Sequence, residues 1–257
     1  MAKLTLDRFT NTRLRFDNPI AINFDVEFKN LTLMCGANGV GKTFLNKMTW
    51  ATMFIANAFL LQKEHNAPVL SDKFTDIDLV QFVLDTTFSD QDFNGDVKFY
   101  NIEPILGTPE EFLDFTIVDG KVTDLEYDFQ ELESASNPVY LSAQTRQFSA
   151  IESYTSIKDL MRISHLTCFE DIEKLTGHFP LYDIFAMELL IGKFPAISEV
   201  LKQLAGASPD LSDELPNITE MFVEKGKVYG TIDGNKTRIS NLGAGHQALL
   251  IMFIGVI

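Results

Sequence analysis

The sequence predicts an α/β fold with an antiparallel β subdomain at its N-terminus and a helical insertion, and three patterns carry that reading. Residues 3–9 (KLTLDRF) and 21–28 (AINFDVEF) alternate apolar and polar side chains, the period of half-buried strands. A more continuous apolar stretch, 30–37 (NLTLMCGA), reads as a third strand and runs into a glycine-rich loop, with a helix beginning at Gly41 or Lys42. From about Ser149 to Ala207 the pattern turns helical.

Taken in order, the helix from Gly41 or Lys42 to about Gln62 is apolar nearly all round beyond Met48, so it is expected to be buried on several sides. Strand character returns over 78–129, in the runs DLVQFVLDTTFS, DVKFYNIEP, FLDFTIV and VTDLEYDF, with turn signals FNGD (93–96) and VDGK (118–121) between them. PVYLSAQTR (138–146) reads as another short strand with a polar exit. The helical stretch is broken by TGHFP, GKFP and GASPD. A compact β unit, 218–240, carries hairpin turns at Lys225-Gly226 and Asp233-Gly234, and NLGAGHQALLIMFIGVI ends the chain. The expected organisation is thus 1–148, an N-terminal lobe with the glycine-rich loop; 149–207, a helical insertion; and 208–257, a β hairpin unit with an apolar helix. No heptad run is sustained in 149–207, which argues against a long coiled coil.

Bulk composition excludes several classes. The 257 residues are 46% hydrophobic and 22% charged, ordinary for a globular chain able to bury a sizeable core. A net charge of −15 argues against a surface made to coat nucleic acid, so DNA is expected only as part of a larger assembly. The two cysteines, Cys35 and Cys168, form no metal or disulfide pattern, and Cys35 is expected to be a buried thiol within its strand. The longest apolar run, MTWATMFIANAFLL, falls short of the ~18 residues a membrane span requires, and the N-terminus has no signal core. The expected setting is cytoplasmic, away from any membrane.

Chemistry concentrates at Gly36-Ala-Asn-Gly-Val-Gly-Lys-Thr43, which matches G-x-x-x-x-G-K-[ST]. The glycines (Gly36, Gly39, Gly41) let backbone N–H groups turn inward around phosphates, and the following helix points its positive end at them. Lys42 reaches the β/γ-phosphates of a nucleotide and the Thr43 hydroxyl binds Mg²⁺, which makes ATP and Mg²⁺ the expected cofactors.

The stretch F-K-N-L-T-L-M-C-G-A-N-G-V-G-K-T resembles the opening of ABC-type P-loop ATPase heads of the chromosome-maintenance, RecF-like and overcoming-lysogenisation-defect class. Asn38 in the third loop position is typical of that class, and the likeness covers about the first 60 residues. Farther on, Ser240-Asn-Leu-Gly-Ala-Gly-His-Gln-Ala-Leu-Leu250 is similar to the ABC signature L-S-x-G-x-Q. In that class the signature helix meets the γ-phosphate held by a second subunit, which implies a homodimer closed around two nucleotides, with Gly243 and Gly245 as contacts. Read alone, the same stretch is compatible with a glycine-rich helix start that binds nothing. Gly243 stands where the signature serine usually does, and Ser240 offers the nearest hydroxyl. The family's glutamine loop matches best at PVYLSAQTR, giving Gln144 as a nucleotide and metal contact and Arg146 as a phosphate or partner contact; a plain polar loop is the alternative.

The family pattern continues with an apolar strand ending in Asp-Glu, the pair that supports Mg²⁺ and polarises water. After Asp233 this sequence has neither Asp nor Glu, and Asp119 reads as a turn residue, so no catalytic residue is assigned. The expectation is the N-terminal portion of a larger ATPase, with the run Ala248–Ile257 covered by a downstream segment. Two functional readings follow from the resemblance. One is an ATPase head in DNA repair or anti-phage defence, hydrolysing ATP when the missing segment is supplied. The other is a non-hydrolysing, nucleotide-dependent scaffold that gates a partner effector such as a nuclease. A P-loop kinase or transferase ranks last, because few basic residues are available for a lid.

Overall fold

A computed structural model describes residues 2–11, 22–28, 32–37, 41–65, 75–88, 93–102, 109–128, 139–143, 145–163, 177–197, 199–201, 203 and 217–256. The fold is mixed α and β, and the chain divides into two compact units, Met1–Pro138 and Val139–Ile257.

The first unit is built on a five-stranded antiparallel sheet in the order β2-β1-β3-β4-β5. Its strands are β1 (Ala2–Asn11), β2 (Ile22–Phe28), β3 (Phe93–Ile102), β4 (Pro109–Val118) and β5 (Lys121–Tyr127). β1 pairs with β2 from Ala2↔Phe28 to Phe9↔Ile22, with a register shift between Leu6 and Phe9. The alternation read in the sequence becomes the burial of Leu4 and Leu6 on β1, Val97 and Phe99 on β3, and Leu113, Phe115 and Ile117 on β4. Helix α1 (Lys42–His65) buries residues on nearly every side between Met48 and Leu60, as expected of a sequence that is apolar nearly all round there.

Three expectations about this unit are corrected. Residues 78–89 do not form a strand: α2 spans Asp76–Phe88 and packs against α1 and β5. Its buried side chains, Leu79, Val80, Val83, Leu84, Thr87 and Phe88, follow the helical period, and Thr75 and Asp78 cap its start reciprocally. FNGD is not a turn but the beginning of β3. Finally, 32–37 carries no strand, and Leu33 is 78% exposed. An apolar run holds a central strand only when neighbours pair with it and cover both faces, and among the described residues none pairs with this one. The VDGK turn, by contrast, joins β4 to β5, with Asp119 and Gly120 at φ of 48° and 74°.

In the second unit α3 (Phe148–Ile163), α4 (Leu181–Lys193) and α5 (Ala244–Val256) surround a three-stranded antiparallel sheet, β6 (Ile218–Glu224), β7 (Lys227–Ile232) and β8 (Asn235–Arg238). Both hairpin turns fall where the sequence placed them, with Lys225, Gly226, Asp233 and Gly234 at positive φ. Phe148, Ile151 and Tyr154 of α3, Met187 and Leu190 of α4, Met221 and Val228 of the sheet, and Leu250, Ile251 and Ile254 of α5 share one hydrophobic core. Leu250, Ile251 and Ile254 of α5 are therefore covered from within the chain, whereas Met252 stays 52% exposed. Residues 139–142 form no strand either. Ser142 and Thr145 close a turn with their own hydroxyls, the Thr145 N–H donating to Ser142 Oγ at 3.2 Å and Thr145 Oγ1 to the Ser142 carbonyl at 3.0 Å, which competes with sheet pairing.

Candidate functional site

The glycine-rich loop delivers the chain into α1 at Lys42, with the Leu45 N–H donating to the Gly41 carbonyl at 2.9 Å as the first helical bond. Gly41 sits at φ +87°, a left-handed conformation that L side chains rarely adopt, so the sharp entry requires glycine. Directly behind the loop, Phe44 packs its ring 5.2 Å from Phe88 of α2 and 5.4 Å from Phe93 of β3. These contacts anchor the first turn of α1 to the sheet and to the neighbouring helix.

Lys42 turns back over its own loop, Nζ donating to the carbonyls of Gly36 and Ala37 at 2.6 Å each. No acidic residue occupies the first turn of α1, so nothing in that turn offsets the positive end of its dipole. Thr43 is exposed in the same turn. An ammonium, a helix N-terminus and a hydroxyl-bearing residue thus stand together at the entry to α1, a donor set suited to an anionic oxygen cluster carrying a cation. Asn38 and Gly39 lie outside the described residues. Gly36 and Cys35 are exposed, so Cys35 is not the buried thiol expected, for the same reason that 32–37 carries no strand.

The remaining sequence-predicted residues belong to the second unit. Gln144 lies outside the described residues; the residues on either side of it are well held. Ser142 Oγ donates to the buried Asp183 carboxylate at 2.7 Å, and Tyr140 meets Tyr182 edge-on at 4.9 Å between ring centres. Burial, and next the Asp183 charge, push the phenol pKa values of both tyrosines up. Arg146 is exposed beside this turn.

Gly243 stands immediately before α5, its carbonyl accepting the Gln247 N–H at 3.1 Å. Gly243, Ala244 and Gly245 are exposed, and a Cβ on Gly245 would meet nothing within 4 Å. Ser240 does not lend its hydroxyl to this surface: its Oγ donates to Glu152 at 3.4 Å. Gln247 reaches back from α5 and donates Nε2 to the Ser240 carbonyl at 3.2 Å and the Leu242 carbonyl at 2.7 Å. Glu152 escaped the sequence reading. The available signal was an acid four residues after Phe148 and one after Ile151, on the face of α3 that packs into the core.

Asp119 occupies the β4–β5 turn, as read from the sequence, and its N–H donates to Asn94 Oδ1 at 2.8 Å. Among the described residues no group of three His, Cys, Asp or Glu is placed to hold a metal, and no helix is long and apolar enough to cross a membrane. No family model, curated protein or solved structure matches the chain.

Proposed function

We propose that the chain is a nucleotide-binding head of the ABC-type P-loop kind, taking ATP with Mg²⁺ on the Gly36–Thr43 loop and pairing with a second copy across bound nucleotide. The observation that carries the reading is Lys42: its ammonium sits on the Gly36 and Ala37 carbonyls at the mouth of α1, beside the left-handed Gly41. Phosphate oxygens would exchange for those carbonyls as partners of Nζ, while N–H groups at the start of α1 orient them. Thr43 supplies the hydroxyl for Mg²⁺, which when bound neutralises charge on the β- and γ-oxygens. A role in DNA repair or anti-phage defence belongs to the resemblance of the loop and signature sequences.

Calorimetric titration with ATP and Mg²⁺ tests the proposal. Lys42→Ala should weaken affinity by about 2–4 kcal/mol, or roughly 30- to 1,000-fold, the loss of a charge-assisted contact. Equal affinity for both chains would reject the assignment.

A second reading, a scaffold that binds ATP without turning it over and gates an effector such as a nuclease, is favoured by one observation. Glycine replaces the signature serine at 243, and the Ser240 hydroxyl is committed to Glu152. Tight ATP binding with turnover at the background rate supports it; steady hydrolysis abolished by Lys42→Ala excludes it.

A further inference from the structure

Glu152 is a carboxylate with 4% of its side chain exposed, and it gathers donors from the stretch 227–240, far from it in sequence. Oε1 accepts the Val228 N–H at 3.3 Å, Arg238 Nε at 3.0 Å and Ser240 Oγ at 3.4 Å. Oε2 accepts Arg238 Nη2, with Lys227 Nζ at 3.9 Å. The start of β7, the end of β8 and the 3-10 turn Ile239–Asn241 are thereby tied to one point on α3. On its other side the same turn is held by Gln247 through the Ser240 and Leu242 carbonyls. In front it leads into the exposed Gly243-Ala244-Gly245.

We infer that Glu152 is a positioning residue: it fixes the Arg238–Gly243 loop so that the start of α5 is presented ready-formed to a nucleotide held by a second copy of this chain. The loop claim stands on the contacts above, and its consequence for pairing rests on the nucleotide-head reading. A carboxylate is suited to the task because it satisfies several donors at once, whereas an apolar residue of similar volume would fill the core, strip the Val228 N–H of its acceptor and release Arg238 to solvent. Such buried polar centres are strongest as devices that select one arrangement.

Hydrogen exchange on the full chain, read by mass spectrometry without ligand, decides the loop claim. In Glu152→Gln, exchange across residues 239–247 should rise at least tenfold while 181–190 of α4 changes less than twofold. Ser240→Ala, which removes one of the contacts to Glu152 and keeps its carboxylate, should shift 239–247 in the same direction by a smaller factor. Unchanged exchange at 239–247 in both variants, or a uniform rise across the second unit, would overturn the inference. With ATP and Mg²⁺, sedimentation of Glu152→Gln should show self-association weakened at least tenfold and single-chain ATP affinity within twofold of wild type. Paired Glu152→Gln chains as tight as wild type would remove the pairing role. A wild-type chain that binds no ATP would reject the nucleotide reading, and the ligand-free exchange data would still decide the loop claim.

Discussion

The Ser142 hydroxyl lies 2.7 Å from Asp183 Oδ1, so a turn in an irregular segment is fastened to a carboxylate that is buried at the start of α4. The same Oγ accepts the Thr145 N–H, which makes Ser142 the hinge between the turn and the helix. Ser142→Ala therefore removes a donor from a buried charge and an acceptor from a backbone amide. The expected loss is about 1–3 kcal/mol, measured as a fall in the urea midpoint at constant slope. A loss under ~0.5 kcal/mol would show that the Ser142–Asp183 bond does not hold the turn.

Helix α2 begins at a reciprocal cap: the Thr75 N–H donates to Asp78 Oδ2 at 2.8 Å and the Asp78 N–H to Thr75 Oγ1 at 3.2 Å. Thr75→Ala should cost about 1 kcal/mol. Those bonds, first from the Thr75 N–H and then from its hydroxyl, hold the Asp78 carboxyl below its ordinary value. Its contribution is accordingly present above the unfolded pKa and fades as pH falls through the folded one. Thermal melting of wild type and Thr75→Ala should thus draw closer in acid, by the share owed to the Thr75 hydroxyl–Asp78 carboxylate bond, and a gap that does not narrow would show that this bond contributes nothing.

The same helix shows what was legible in the sequence and what was not. Val80, Phe82 and the Thr86-Thr87 pair give 78–89 a β-rich composition, and that outweighed the spacing of Leu79, Val83 and Leu84, which only a helix places on one face. The Thr75…Asp78 cap would have settled the choice, because it is a local signal. Strands β1, β2 and β6–β8 were readable for the same reason: the alternation of β1 and β2 and the positive-φ turns joining β6, β7 and β8 are encoded within a few residues. Glu152 was not, since its partners stand 76, 86 and 88 residues away. The Gly36–Thr43 loop was read as a motif, yet its strand was misassigned, because strand pairing depends on distant neighbours whereas the turn into α1 does not.

Gly230 of β7 has no room for a methyl group. A Cβ there would lie 2.8 Å from Ile239 Cδ1 and 3.3 Å from the Glu220 carbonyl. Ile239 opens the turn that precedes α5, so Gly230→Ala forces either that side chain or the strand to move. A destabilisation of about 1–3 kcal/mol is expected, seen as a lower urea midpoint. Crystallography of the variant should show Ile239 displaced; an unmoved Ile239 with unchanged stability would refute the close approach.

Acid should act on Glu152. Burial by itself would raise its carboxyl pKa; Arg238, the Val228 N–H and Lys227 outweigh it and hold the group below the ordinary glutamate value. A depressed folded pKa means stabilisation that is complete above about pH 4.3 and lost as pH falls through the folded value. Glu152→Gln should therefore be less stable than wild type by about 2–3 kcal/mol at pH 7, and the gap should narrow as acid protonates Glu152. A gap that widened in acid would reverse the sign and exclude the Arg238 pairing as its cause.

Gly243 offers the opposite kind of change, a gain. Its carbonyl accepts the first helical N–H of α5, and its φ lies outside the left-handed region. A Cβ there would meet only His246 Nδ1, at an ordinary 3.6 Å. Serine caps a helix better than glycine by a few tenths of a kcal/mol, so Gly243→Ser should keep the fold and slightly raise its melting temperature. It would also return a hydroxyl to the position where the resembling family carries one, on a surface already exposed. If two chains close over nucleotide through this turn, Gly243→Ser should strengthen ATP-dependent self-association by about three- to tenfold, near 1 kcal/mol for one added hydrogen bond, with single-chain ATP affinity unchanged. Sedimentation velocity with and without ATP measures both consequences. A stabilised variant whose pairing with ATP does not change would leave the helix cap intact and take the signature role away from this turn.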